Sequence, residues 1–180
     1  MFFLEDENIG LRGLLESDAD GCYADWFNDI NICKFNSHHR YPMTRDEVFE
    51  YIKQSNRDNT KLILAVIEKK QNIHIGNISL QQIDYINRQA ELALIFGEKD
   101  YWGRGYATAA AGLLIKHAFN ELGLNRIYFG TSERNKAMQK VGEHLYFSRI
   151  GIEREALYKN GEFLNIYKYD LLRKEWMSNN

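Results

Sequence analysis

The feature that most constrains this chain is a glycine-containing turn between an apolar strand and an apolar helix. Leu92 to Phe96 is an apolar run, and Ala107 to Phe119 repeats apolar residues at helical spacing. The turn between them contains Trp-Gly-Arg-Gly-Tyr at positions 102–106. Glycine permits positive φ and leaves room for a ligand beside the backbone. The first N–H groups of a helix lack internal partners and lie at the positive end of its dipole, so the turn predicts a phosphate or pyrophosphate site.

Other phosphate-binding loops fit this turn less well. A P-loop ends in Gly-Lys-Ser/Thr, whereas Gly105 is followed by Tyr-Ala-Thr. A dinucleotide-binding loop has a third glycine where this chain has Thr108, and it belongs near the start of a run of βαβ units. From the turn alone, a tight strand–helix connection that binds nothing remains an alternative.

Composition bounds the class of protein. The chain has 180 residues, of which 44% are hydrophobic. We therefore expect residues 1–180 to form a single domain with its own hydrophobic core. The net charge of −2 argues against nucleic acid as the main partner. The sequence contains no run of 18 apolar residues, so we expect no membrane-spanning helix. The acidic start predicts no signal peptide. Cys22 and Cys33 form no CxxC pair, so we expect a cytoplasmic protein with free thiols and no metal.

Hydrophobic periodicity and turn residues predict the order β-α-α-β-β-β-α-β-α-β-β, with the second to fourth strands as an antiparallel meander. Gly76 indicates a bulge within its strand, and Asn160-Gly161 indicates a hairpin. The prediction is an α/β (α+β) fold with a mixed, mostly antiparallel central sheet of about seven strands flanked by about four helices. The predicted strands are 8–14, 61–68, 74–86, 89–96, 126–130, 147–158 and 162–171, and the predicted helices are 17–27, one from Thr44, 107–123 and 135–145.

Four segments in this order resemble the GNAT superfamily of N-acetyltransferases, which use acetyl-coenzyme A (acetyl-CoA). They are the turn Tyr-Trp-Gly-Arg-Gly-Tyr at 101–106, the strand at 90–97, the helix start Asn-Lys-Ala-Met at 135–138, and the C-terminal hairpin at 154–163 with its closing 171–176. The turn is similar to one branch in particular, the ribosomal-protein-alanine acetyltransferases, because Trp102 stands where most of the superfamily has Gln or Arg. The resemblance runs from about Asn8 to Trp176.

The resemblance implies an acetyl-CoA site built from three of these segments. The pyrophosphate would lie on the N–H groups of the turn, and the pantetheine arm would pair with the strand that precedes it. Asn135 would hydrogen-bond a pantetheine amide, although an ordinary helix N-cap is an equal alternative. The implied cofactor-binding residues are Leu94, Ile95, Phe96, Trp102, Gly103, Arg104, Gly105, Tyr106, Ala107, Thr108 and Asn135.

The resemblance also implies acetyl transfer from the thioester to a primary amine, which attacks only when it is neutral. A base must accept its proton, and Glu91 is the candidate on the strand before the turn. The structural alternative for Glu91 is a solvent-facing strand residue, or one half of an ion pair with Arg88 or Lys61. Positions where many members carry a Tyr or Ser acid hold Gly142 and Met138 here. Tyr146 is the candidate replacement acid, with a core role as its alternative.

The acceptor is open at this stage. In this family the irregular segment after the first helix lines the acceptor pocket, which makes His38, His39 and Tyr41 the candidate substrate contacts. A plain polar loop is the alternative there. The acceptor would be a protein N-terminus, such as the alanine of a ribosomal protein, or a small amine; a nucleotide-linked amino sugar is the other candidate. A non-catalytic coenzyme A-binding module is the alternative of another class. The chain is expected to be a monomer or a homodimer.

Overall fold

The computed structural model describes residues 1–179. This range forms eight strands and five α-helices, with short 3-10 turns at Glu16–Asp20 and Lys99–Tyr101. The strands are β1 (Leu4–Glu5), β2 (Ile9–Gly13), β3 (Leu62–Glu68), β4 (Ile73–Asp84), β5 (Gln89–Phe96), β6 (Arg126–Ser132), β7 (Ser148–Lys159) and β8 (Glu162–Leu172). The helices are α1 (Tyr23–Asn28), α2 (Arg45–Ser55), α3 (Tyr106–Asn120), α4 (Lys136–His144) and α5 (Arg173–Asn179).

The strands form one sheet in the order β1-β2-β3-β4-β5-β6-β8-β7. Every neighbouring pair is antiparallel except β5 with β6, so the predicted mixed, mostly antiparallel sheet with flanking helices is confirmed. The strand β1 and the helix α5 were not predicted from the sequence. A two-residue strand is too short to show alternation, and the seven-residue α5 follows β8 directly and buries Trp176.

The parallel pair is short, and this opens a gap in the sheet. β5 and β6 are paired over only three positions, the last being Glu91 with Tyr128. On its other edge β5 stays paired with β4 as far as Phe96. The last five residues of β5 therefore have no strand neighbour on the β6 side. This unpaired part is the carboxyl end of β5, which leads into the glycine turn.

The helices cover the two faces of the sheet unequally. The main core cluster packs α3 and α4 against one face, with Leu114, Phe119, Ile127 and Phe129 fully buried. A second cluster packs α1 and α2 against the other face of β3. Within residues 1–179, none of the helices combines the length and the apolar character that crossing a membrane requires.

The predicted helix 17–27 is broken into two pieces. Asp18 accepts the Leu15 N–H and two hydrogen bonds from the Arg12 guanidinium, which fixes a 3-10 turn at Glu16–Asp20. Gly21 then adopts an extended conformation, and α1 begins at Tyr23. The partly buried ion pair of Arg12 with Asp18, rather than helix propensity, decides this break.

Candidate active site

The glycine turn adopts the backbone conformation that its sequence predicts. Gly103 has φ +73° and Gly105 has φ +85°, values that side-chain-bearing residues rarely adopt. A Cβ built on either glycine would meet no atom of the protein within 4 Å, so the space beside both is open. Gly105 is the N-cap of α3 and provides no side-chain cap, whereas Thr44 caps α2 and Asn135 caps α4. The N–H groups at the start of α3 are thus available to an anion.

Aromatic side chains hold the turn in place. Trp102 donates from Nε1 to the Phe96 carbonyl at 2.9 Å, which ties the turn to the end of β5. The Arg104 guanidinium lies 5.3 Å from the centre of the buried Tyr101 ring, and Tyr106 packs against the same ring. Arg104 itself is exposed, so its charge faces the open side of the turn.

The free edge of β5 presents two backbone N–H groups to the gap. The Gly97 N–H donates to the Ile75 carbonyl, and bonding alternates along an antiparallel pair. The N–H of Ile95 therefore faces β4, while those of Leu94 and Phe96 face the gap. The Phe96 carbonyl accepts the Trp102 indole N–H, so it also points away from β4, as this alternation requires. Of the three β5 residues predicted to bind cofactor, two offer N–H groups to the gap.

Asn135 acts as a helix cap. Its Oδ1 accepts the Met138 N–H at 3.2 Å at the start of α4. Its Nδ2 has no hydrogen-bond partner within residues 1–179, which leaves both N–H donors of the amide for a ligand. β5 and β6 are parallel, the glycine turn follows β5, and α4 follows β6. Asn135 therefore lies at the same end of these strands as the glycine turn. The cap role is confirmed, and a cofactor contact stays a prediction.

Glu91 lies where the gap closes. The carboxylate is half-buried and sits beside Tyr128 in the last pair that joins β5 to β6. Desolvation, followed by the Glu91 charge, raises the pKa of Tyr128. Among the described residues no ion pair joins Glu91 to Arg88 or Lys61; Lys61 binds Asp58 at 3.1 Å instead. The ion-pair alternative for Glu91 is therefore not observed, whereas a partly exposed strand residue without a catalytic role stays an alternative.

Side-chain alternation places Glu91 on the face of the sheet that carries α1. Leu94 and Phe96 pack against the main cluster with α3, whereas Ile95 packs against the second cluster with α1 and α2. Successive strand residues point to opposite faces, so Glu91 shares the face of Ile95. An amine that reaches Glu91 approaches from the α1 side.

The missing tyrosine on α4 has a packing explanation. Gly142 is buried, and a Cβ there would lie 2.8 Å from Cζ of Phe129, so the core leaves no room for a larger residue. Tyr146 follows α4 at the opposite end from Asn135, with φ +65° and 48% exposure. The exposed ring is not part of the core, and its role as an acid stays a prediction.

The predicted acceptor residues lie on the connection between α1 and α2, residues 29–44, called here the strap. Asn28 and Met43 clasp its base with two hydrogen bonds, Nδ2 to the Met43 carbonyl at 2.7 Å and the Met43 N–H to Oδ1 at 2.8 Å. The His38 ring packs edge-on against Phe27 with centroids 4.7 Å apart. His39 and Tyr41 are exposed, and neither side chain contacts Glu91 among the described residues.

Sequence analysis did not anticipate the partners of the strap. The Lys159 ammonium donates to the His38 carbonyl at 2.6 Å, and Arg40 Nη2 donates to the Tyr158 carbonyl at 2.9 Å. Desolvation lowers the pKa of Lys159. Both contacts join segments about 120 residues apart in the chain, so no local pattern could have indicated them.

Side chains suited to a metal ion are not brought together: residues 1–179 contain no group of three or more His, Cys, Asp or Glu that could hold one. The site instead combines a helix start without a side-chain cap, a strand edge with N–H groups that face the gap, and a carboxylate where the gap closes. These residues fit a long phosphate-bearing ligand that enters from the glycine turn and extends into the gap.

Comparison with known proteins agrees with this geometry. The family model for the acetyltransferase (GNAT) domain matches residues 8–148. A putative ribosomal N-acetyltransferase of Bacillus subtilis (strain 168), YdaF, is 39% identical over 101 residues, which is 56% of this chain and 55% of the relative. The chain thus spans about half the length of that relative.

Two further similarities extend over more of the chain. The spermidine N(1)-acetyltransferase of Vibrio cholerae is 25% identical over 133 residues, 74% of this chain and 76% of that protein. The crystal structure of a probable acetyltransferase superposes with a TM-score of 0.87 at 30% identity, covering 97% of this chain and 99% of the other.

Proposed function

The chain belongs to the acetyltransferase (GNAT) family and is an acyltransferase, and from that premise we propose that it acetylates small-molecule primary amines with acetyl-CoA. We further propose that residues 1–180 act as one catalytic domain. The observation that carries the proposal is the continuity of three features: the uncapped start of α3, the free edge of β5 and Glu91 where the gap closes.

The residues of the turn would bind the cofactor through its pyrophosphate. The N–H groups from Gly103 to Thr108 donate to the phosphates, and the Arg104 side chain adds a formal positive charge. The Trp102 indole keeps the turn against β5, so the phosphate site and the gap remain aligned. Glycine at 103 and 105 is required because any side chain would occupy the space of the ligand.

Inside the gap, the N–H groups of Leu94 and Phe96 and the Nδ2 of Asn135 would hydrogen-bond the pantetheine arm. Acetyl-CoA supplies the acetyl group as a thioester, and an N–H of β5 beside its carbonyl would stabilise negative charge that develops on the oxygen. Ile95 supports this edge from behind through its pairing with β4.

Glu91 would accept the proton of the incoming amine. An α-amine has a pKa of about 7.7–8 and a lysine-type amine about 10.4, so most acceptors are protonated at neutral pH and need such a base. The carboxylate is half-buried on the α1 face, where His38, His39 and Tyr41 of the strap would border the acceptor. Tyr146 stays the candidate acid for the leaving thiolate.

Two observations bear on the acceptor. The relative from V. cholerae is a spermidine acetyltransferase and aligns over three quarters of this chain, which favours a small amine. The more similar YdaF is described as a putative ribosomal acetyltransferase but aligns over 56% of the chain, which keeps a protein N-terminus as the second candidate. A nucleotide-linked amino sugar is the third acceptor to be tested.

Calorimetric titration with acetyl-CoA tests the cofactor, with NAD and ATP as controls. Tight binding of acetyl-CoA alone is expected, and binding of NAD or ATP instead would overturn the assignment of the turn. Thiol release is then measured with spermidine, an amino sugar, a UDP-linked amino sugar and a peptide that begins with alanine. Turnover with the small amines supports the proposal, whereas turnover with the peptide alone would replace it by the second candidate.

A non-catalytic coenzyme A-binding module is separated by the same experiment. Binding of acetyl-CoA without turnover of any amine, at the amine concentrations that saturate a known acetyltransferase run in parallel, would favour that module. The Glu91 carboxylate beside the gap is the feature that such a module does not need.

A further inference from the structure

The strap and the β7–β8 hairpin are joined by two reciprocal contacts. A hairpin side chain, Lys159, binds the backbone of the strap at His38, and a strap side chain, Arg40, binds the backbone of the hairpin at Tyr158. The Lys159 side chain is buried, with the residue only 7% exposed. A buried ammonium is costly unless it is hydrogen-bonded, so its bond to the His38 carbonyl is a fixed part of the fold.

The hairpin tip projects past β6 on the side of the sheet where the cofactor site lies. β6 ends at Ser132, opposite Ile166 of β8, whereas β8 begins four residues earlier at Glu162. At the usual strand rise this is an overhang of about 13 Å. Lys159 pairs with Glu162 at the tip, so its side chain lies in the overhanging part.

The hairpin is also fixed to the segment that leads to Asn135. Glu133 accepts both the backbone N–H and the side-chain amide of Asn165, at 3.1 and 3.0 Å. Arg134 forms an ion pair with Glu162. Because the hairpin is held on this side, the position of Lys159 is fixed relative to the site, and the strap is the part that depends on Lys159.

The strap connects the two sides of the gap. It starts at α1 on the β5 side, on the face that carries Glu91, and its middle is bound at the hairpin on the β6–β8 side. We propose that Lys159 is a positioning residue for the amine acceptor, because it holds the strap against the hairpin as the outer wall of the acceptor site. This inference rests on the proposed function, since it assigns the acceptor side of the same site.

The reaction does not require Lys159 to touch any reacting atom. Without the ammonium, the His38 carbonyl loses its donor, and the strap is held to the hairpin tip by the exposed Arg40 contact alone, so we expect the strap to loosen. The clasp of Asn28 with Met43 and the packing of α1 remain, so the phosphate turn and β5 keep their geometry. The acceptor's KM is therefore the quantity that changes, while the affinity for acetyl-CoA does not.

The first arm of the test is hydrogen exchange in the ligand-free protein, compared among Lys159→Met, Lys159→Arg and the control Lys174→Met on α5. Faster exchange of residues 29–44 in Lys159→Met, restored in Lys159→Arg and absent in the control, is expected. Unchanged exchange in Lys159→Met would overturn the proposal. If Lys159→Met does not fold, Lys159→Gln, which keeps a polar group at the same position, gives the same readout; Arg40→Ala removes only the second contact and should change exchange less.

The second arm is steady-state kinetics of the same variants with the best amine. We expect the acceptor KM of Lys159→Met to rise roughly tenfold, the size of one lost charge-assisted hydrogen bond, with kcat and the acetyl-CoA Kd nearly unchanged. A change in the acetyl-CoA Kd, or an unchanged acceptor KM despite faster exchange, would overturn the positioning role. Absence of turnover in the wild-type protein would instead contradict the proposed function, while the exchange arm still tests the contact itself.

Discussion

Glu91 and Tyr128 form the last residue pair that joins β5 to β6 before the two strands separate. The pair marks the closed end of the gap, and the glycine turn and Asn135 mark its open end. In the proposed reaction, a carboxylate placed there would meet the cofactor that enters from the turn, and the amine would reach it from the α1 face. This single relationship links the sheet topology to the proposed chemistry.

Glu91→Gln tests the base directly. We expect kcat to fall about 10²–10⁴-fold, the usual contribution of a positioned base, with the acetyl-CoA Kd unchanged. Stopped-flow or steady-state thiol release and calorimetry give the two quantities. Glu68→Gln is the matched control, because Glu68 is a strand carboxylate of the same sheet whose partners are the N–H groups of Lys70 and Gln71. Equal kcat in Glu91→Gln and wild type would remove Glu91 from the mechanism.

Gly105→Val tests the phosphate turn. The side chain would fill the open space beside the start of α3, and binding of acetyl-CoA should be lost. Gly123→Val is the control at the other end of the same helix, because Gly123 has φ +64° and equally open surroundings. Both variants should lose stability by about 1–2 kcal/mol from left-handed strain, but only the first should lose binding. Equal acetyl-CoA affinity in the two folded variants would contradict the assignment.

Asn135→Ala separates the cap from the cofactor contact. Loss of the cap should lower the free energy of unfolding by about 1 kcal/mol, and loss of the Nδ2 donor should raise the KM for acetyl-CoA. Thr44→Ala removes the corresponding cap from α2, so it should cost similar stability without a kinetic change. Chemical denaturation and acetyl-CoA kinetics measure both effects. If the two variants behave alike kinetically, Asn135 is a cap and nothing more.

We expect the free energy of unfolding to decline at acidic pH because of the partly buried His74. Desolvation lowers its pKa below the ordinary 6.5, despite the hydrogen bond to Asn77 and the nearby Asp18 carboxylate. The unfolded chain therefore binds the proton more readily, and the free energy of unfolding falls as the pH drops below 6.5 towards the folded pKa. Each unit of pKa difference corresponds to about 1.4 kcal/mol.

Denaturation curves of His74→Gln between neutral and acidic pH test this prediction. The slope should flatten in His74→Gln, and His144→Gln, at an exposed position at the end of α4, should keep the wild-type slope. The flattening is partial, since desolvation also lowers the pKa of His38 and of His117. An unaltered slope in His74→Gln would contradict the role assigned to this histidine.

Local patterns in the sequence were sufficient for most of the elements. The strand Gln89–Phe96 has the predicted bounds, the hairpin at Asn160-Gly161 is found where it was predicted, and the helix predicted from Thr44 has Thr44 as its N-cap. Gly76 lies beside the register shift between β3 and β4, where a Cβ would approach the Ile95 carbonyl to 2.5 Å. These features depend on backbone torsion preferences and side-chain period, which neighbouring residues set.

The sequence by itself determined the strand–turn–helix unit at 92–119, its positive-φ glycines and the family that they indicate. Only the tertiary structure decided where the gap closes, because the length of the β5–β6 pair depends on how whole strands diverge. It also decided that Gly142 is held under Phe129 and that Lys159 reaches His38, 121 residues away. Contacts of this kind depend on packing between distant segments, which no local period or turn preference records.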